Sequence, residues 1–131
     1  MGWLGLKVNH RNRLLIVEDD EDLSAELADA FSSIDRVCIR AKSAEEAIQL
    51  ISNNDDIFII ILDIVLPRMS GSELAKRLQE LRPRMRVLYM SGYTDDAIVH
   101  HGVLSAGAAF VQKPFTADAL TRKVREILES G

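Results

Sequence analysis

The stretch Ile57-Phe58-Ile59-Ile60-Ile61-Leu62-Asp63-Ile64-Val65-Leu66-Pro67 decides how this chain is read. It is apolar and rich in β-branched residues, it lacks a 3.6-residue period, and it closes on a carboxylate and a proline. Such a run fits a strand buried on both faces in the middle of a parallel sheet. A carboxylate is rarely placed on a buried strand for packing, so Asp63 is expected where the strand leaves the core and meets a cleft.

Outward from that strand the chain alternates short apolar runs with amphipathic ones. Leu14 to Val17 predicts a first strand, and Leu23, Leu27, Ala30, Phe31 and Ile34 recur at helical spacing after it. Val37 to Ala41 is a more polar strand suited to a sheet edge. Ser43 with Glu46, and Ser70 with Glu73, form capping boxes that open two helices. The first carries the stripe Ala44, Ala47, Ile48 and Ile51. The second turns Leu74, Leu78 and Leu81 inward until Pro83 stops it. Val87 to Met90 is a fourth strand, Thr94 opens a helix ending near Gly107, and Ala109 to Gln112 is a fifth strand. Thr116 caps the last helix, with Leu120, Val124, Ile127 and Leu128 inward. Five strands alternating with five helices give an α/β fold: a doubly wound five-stranded parallel sheet, order 2-1-3-4-5, flavodoxin-like (βα)5.

With 131 residues, 47% of them hydrophobic, the chain suits one domain over residues 13–131. Residues 1–12 have no sustained period and read as an N-terminal extension or linker. Position six is Leu6, where an N-terminal lipidation motif wants Ser or Thr. A net charge of -4 and no clustered basic face argue against a nucleic-acid partner. No apolar run approaches the roughly 20 residues that cross a bilayer, and no secretory pattern opens the chain. Cys38 stands alone between Val37 and Ile39, which rules out an internal disulfide and suits a buried thiol. Together these features predict a soluble cytoplasmic protein. The adjacent His100 and His101 point to different sides of a helix and cannot chelate one metal together.

In a doubly wound sheet, ligands gather at the carboxyl ends of the strands. There the chain places Glu18 to Asp22 after strand one, Asp63 at strand three, Ser91 at strand four, and Lys113-Pro114 after strand five. Carboxylates converging to about 4 Å repel by on the order of 4 kcal/mol at an effective dielectric near 20, so a cation must offset them. Oxygen-only ligands suit magnesium, which keeps waters and shares its site with phosphate. A lysine and a hydroxyl complete a site for phosphoryl oxygens. Asp63, already ionised at neutral pH, fits a nucleophile that becomes an aspartyl phosphate. Glu21 and Asp22 suit the solvated N-terminus of a helix, and Asp20 fits either role. No Gly-rich phosphate loop appears, which argues against a nucleotide donor bound to this chain.

Four motifs at strand ends now stand in order: Ile16-Val17-Glu18-Asp19-Asp20, Leu62-Asp63-Ile64-Val65-Leu66-Pro67-Arg68-Met69-Ser70-Gly71, Tyr89-Met90-Ser91-Gly92-Tyr93, and Phe110-Val111-Gln112-Lys113-Pro114-Phe115. Through them the chain resembles the CheY-like receiver domain of two-component response regulators, over about residues 13 to 129. Its wording at strands four and five is similar to that of receivers attached to hybrid histidine kinases.

The resemblance implies phosphoryl transfer from a histidine kinase or histidine phosphotransfer protein onto Asp63. It implies magnesium held by Glu18, Asp19, Asp63 and the backbone carbonyl of Val65, with Lys113 pairing the phosphate and a cis bond before Pro114. It implies a switch through Ser91 and Phe110 that alters the face of the fourth helix, fifth strand and fifth helix for a downstream protein, in a monomer or a phosphorylation-dependent dimer. Such a domain is a signalling phosphoacceptor rather than an enzyme. Two other readings stay open: a pseudo-receiver that binds partners without phosphorylation, and a magnesium-dependent aspartyl-phosphate phosphohydrolase. Val65, two residues past Asp63, offers no polar side chain to orient an attacking water, which predicts a slowly hydrolysed phosphoryl group unless Tyr93 or a partner assists.

Overall fold

The computed structural model describes residues 13–32, 37–66, 68–92 and 109–129. Strand β1 (Arg13–Val17) leads to helix α1 (Glu21–Ser32), then β2 (Cys38–Ala41), α2 (Ala44–Asn53), β3 (Ile57–Asp63), α3 (Gly71–Leu81), β4 (Arg86–Ser91), β5 (Phe110–Gln112) and α4 (Ala117–Glu129). The expected helix over 94–107, with Tyr93 and both histidines, lies outside the described residues, as do the 1–12 extension, Ile34 and Pro67.

The strands form one parallel sheet in the order β2-β1-β3-β4-β5. As anticipated, β1 and β3 take inner positions, each wholly apolar between its polar end residue, Arg13 or Asp63, and the opposite end; β4 is also paired on both sides, although it is bounded by Arg86 and Ser91. Alternate side chains build two cores. Leu15, Val17, Ile60 and Leu62 pack under Ala47 and Ile51 of α2 and Leu74 and Leu78 of α3. On the other face, Leu14, Ile16, Ile59 and Ile61 meet Leu27 and Phe31 of α1 and Leu120 and Val124 of α4. Each such side chain, taken fully from water, contributes roughly 1.5–3 kcal/mol, so the central strands are the most strongly held part of the molecule.

The helix starts follow the sequence signals. The Ser43 and Ser70 hydroxyls accept from the amides of Glu46 (3.2 Å) and Glu73 (3.1 Å), and Thr116 accepts from Ala119 (3.0 Å). The carboxylate of Glu46 reaches back to the amide of Lys42 rather than that of Ser43. Leu81 departs from expectation, since it is 53% exposed. Just past Leu81, it is the cap residue Arg82 that turns inward, donating to the carbonyls of Ile51 (2.6 Å) and Asn54 (3.3 Å). That contact satisfies orphan carbonyls at the end of α2, a demand the apolar period does not reveal.

Candidate functional site

Strand register brings the chemistry together. Val17 pairs with Leu62, Asp63 with Met90 and Ser91 with Gln112. Glu18, Asp63, Ser91 and Lys113 therefore leave the sheet at one edge. The Glu18 amide donates to Ala41 O (3.0 Å), the Lys113 amide to Ser91 O (2.6 Å), and the Ile64 amide to Met90 O (3.0 Å), so each exit is tied to the neighbouring strand. The Lys113-Pro114 bond is cis.

Three charged side chains meet there. The Lys113 ammonium lies 2.5 Å from Asp63 Oδ2 and 3.3 Å from Glu18 Oε1. The second oxygen of each carboxylate is held by backbone: the Val65 amide donates to Asp63 Oδ1 (2.9 Å) and the Asp20 amide to Glu18 Oε2 (3.1 Å). Glu18 is 3% exposed, Asp63 9% and Ser91 1%. Burial pushes the Glu18 carboxyl up to about 7, outweighing the pull of the Asp20 amide and the Lys113 charge. For Lys113 burial works downward, but the hydrogen bond to Asp63 and the charges of Asp63 and Glu18 prevail and raise its pKa.

The other predicted site residues stand around this cluster. Asp19 is exposed at its rim. The Val65 side chain is 62% exposed while its amide serves Asp63. Phe110 is half-buried on β5, opposite Tyr89 of β4. Among the described residues no three carboxylate, imidazole or thiol groups stand close enough to cage a metal ion by themselves. The donor set still fits a hard divalent cation: every candidate ligand is an oxygen, and Glu18 is a buried carboxylate whose charged form needs a positive neighbour.

Asp20 is resolved in favour of the helix. Its carboxylate caps α1, accepting from the amides of Asp22 (3.0 Å) and Leu23 (3.2 Å). Gly71 was not singled out, yet it fixes the distance between α3 and the end of β3. Its amide donates to Ile64 O at 2.7 Å, and a Cβ there would meet Asp63 O at 2.3 Å. A glycine directly after a Ser cap, where better helix formers abound, was the available signal. Arg68 lies at φ 70, a left-handed turn carried by a non-glycine residue between Asp63 and α3.

Fold and site together define a flavodoxin-like parallel α/β domain with two carboxylates and a lysine at the strand ends. The profile of the response regulator receiver domain family matches residues 14–125, and the chain belongs to that family. A CheY-like receiver from Methanospirillum hungatei superposes with a TM-score of 0.80 at 29% identity, over 91% of this chain and 94% of that one. A two-component response regulator from Clostridium difficile gives 0.79 at 26%, over 90% and 96%. Among curated proteins, the uncharacterized transcriptional regulatory protein YrkP of Bacillus subtilis is 30% identical over 86% of this chain, and the sensor kinase CckA of Brucella abortus 29% over 88%. The chain spans 47% and 12% of those two relatives. Receiver domains are the signalling phosphoacceptor modules of two-component systems. Among the described residues no helix is long and apolar enough to cross a membrane.

Proposed function

We propose that this domain takes a phosphoryl group from a phosphohistidine of a histidine kinase or histidine phosphotransfer protein onto Asp63. An Asp63 carboxylate oxygen attacks phosphorus, the P–N bond breaks as the P–O bond forms, and the released imidazole nitrogen takes up a proton. The observation that carries this reading is the Lys113 ammonium 2.5 Å from Asp63 and 3.3 Å from Glu18, at the carboxyl edge of the sheet. The ammonium moves from the carboxylate to a phosphoryl oxygen as charge shifts outward, and the buried Ser91 hydroxyl donates to another. Glu18, Asp19 and Asp63, with the Val65 backbone carbonyl, would hold magnesium, which when bound neutralises charge on the phosphoryl oxygens. Phe110, in register with Tyr89, is the aromatic that answers Ser91 and alters the surface of the expected fourth helix, β5 and α4 for a downstream protein, in a monomer or a phosphorylation-dependent dimer. An apolar groove of about 510 Å3, lined by Leu23, Leu27, Ala30, Pro114 and Phe115, opens beside Lys113 and offers the donor protein a seat. The working unit is residues 13–131, acting in the cytoplasm.

Incubation with magnesium and acetyl phosphate, followed by intact mass, tests the reading. One phosphoryl adduct is expected, absent in Asp63→Asn. No adduct on the wild-type chain would make the domain a pseudo-receiver, and rapid multiple turnover a phosphohydrolase; either result overturns the proposal.

A further inference from the structure

We infer that Arg40 is a positioning residue for the acidic loop, so that magnesium affinity depends on a guanidinium which does not belong to the ligand set. The inference rests on the magnesium site proposed above. Arg40 is on β2, level with Ile16 of β1, and its side chain forks. Nε donates to the buried Ser24 hydroxyl (3.0 Å) and Nη2 to Glu21 Oε1 (3.2 Å). Both acceptors lie in the first turn of α1. That turn is joined to Glu18 through Asp20, whose carbonyl accepts from the Ser24 amide (2.9 Å), whose carboxylate caps the helix, and whose own amide holds Glu18 Oε2. The loop is thus pinned to β2 at both ends, by the Glu18 amide on Ala41 O before it and by the Arg40 fork after it. These residues border a polar cavity of about 380 Å3 reaching from Glu18 to Glu46.

The geometry and the bare charge make opposite demands. A cation beside Glu21 and Glu18 repels magnesium, so on charge alone its removal tightens binding. As a positioning device its removal frees α1's first turn, loosens the Asp20 amide from Glu18 and weakens binding, by about tenfold if it resembles other outer-shell partners of metal ligands. A lysine cannot replace it, because one ammonium cannot hold Ser24 and Glu21 in the fixed directions of a planar fork.

Magnesium titrations of the full chain, followed by backbone amide shifts, would compare wild type with Arg40→Lys, Arg40→Met and Ser24→Ala, with thermal melting as the check on folding. We expect both Arg40 variants to bind about tenfold more weakly and the Asp20 amide to shift upfield in the metal-free protein, as its bond to Glu18 loosens. Magnesium affinity of Arg40→Lys weakened by less than about twofold, or tighter binding by Arg40→Met, overturns the inference while leaving the phosphoacceptor reading intact. If the Arg40 variants do not fold, Ser24→Ala decides on the same criterion. A wild-type chain that binds no magnesium overturns the proposed metal site and this inference together.

Discussion

Replacing Gly71 with alanine tests whether the first turn of α3 sets the shape of the site. An added Cβ would lie 2.3 Å from Asp63 O, 2.8 Å from Leu62 Cδ1 and 2.9 Å from Ile64 Cα, and two of these three atoms are backbone that no rotamer change can move. The helix must retreat by roughly 0.7 Å merely to bring the first contact from 2.3 out to 3.0 Å. A gap of that size forfeits a quarter to a half of each dispersion contact it opens, and Leu74, Ala75 and Leu78 all face it. Overpacking of this kind costs about 1–3 kcal/mol, loosening the 2.7 Å bond from the Gly71 amide to Ile64 O adds about 1 kcal/mol, and alanine returns at most about 1 kcal/mol in helix propensity. The net expectation is a loss of about 2 kcal/mol. Gly92 is the control, since a Cβ there meets nothing within 4 Å. In urea denaturation, Gly71→Ala should unfold at a midpoint lower by about 1 M with an unchanged slope, and Gly92→Ala should match wild type. Because α3 retreats from the Asp63 carbonyl and so from the end of β3 that carries the phosphoacceptor, the phosphoryl adduct should also form more slowly in Gly71→Ala. Equal midpoints for the two alanine variants would refute the packing argument.

Three further expectations concern single residues. Glu18 unfolds to an ordinary carboxyl near 4.5 but titrates near 7 when folded, so without divalent ions the native state binds the extra proton in between, and stability present below pH 4.5 is lost as pH rises through 7. Glu18→Gln should abolish that slope and be the more stable protein at pH 8, by on the order of 2 kcal/mol; a slope that persists in the variant contradicts the assignment. Burial lifts the Cys38 thiol from 9.0 to about 12, so iodoacetamide at pH 8 should label the native chain at least about a hundredfold more slowly than the urea-unfolded one, and comparable rates would place the thiol in water. Val65→Asn puts a polar group on an exposed position beside Asp63, and the decay of phosphorylated protein should accelerate by about tenfold; unchanged decay counts against a role for Val65 in lifetime.

The fold was legible because its signals are of long range and repeat. β1 and β3 carry the long unbroken apolar runs Leu14–Val17 and Ile57–Leu62, which mark them as interior strands, and three of the four described helices begin at a hydroxyl the sequence advertises. Illegible were the places where one polar side chain overrides the apolar period. Arg82 and not Leu81 turns inward, because the end of α2 presents carbonyls that need a donor. Ser24, one residue off the Leu23 and Leu27 stripe, is buried because Arg40 reaches it from β2. Neither partner is visible from the local pattern of the other.

The site divides along the same line. Glu18, Asp63, Ser91 and Lys113 could be assembled from sequence because ending a strand is a property of the backbone, and parallel register converts four strand ends into one edge. Their separations are not such a property. The 2.5 Å and 3.3 Å contacts of Lys113 depend on how far the β3 end and the acidic loop project beyond the sheet. Gly71 limits the first by pressing α3 against Asp63 O and Ile64 O, and the Asp20 joint limits the second by serving Glu18 and α1 at once. Both are small or short residues whose effect comes from backbone approach, and a hydropathy pattern carries no trace of that. It follows that variants of Gly71 and Asp20 should disturb the site while leaving the side chains of Glu18, Asp63 and Lys113 chemically intact, a separation of geometry from chemistry that substitutions of the charged residues cannot achieve.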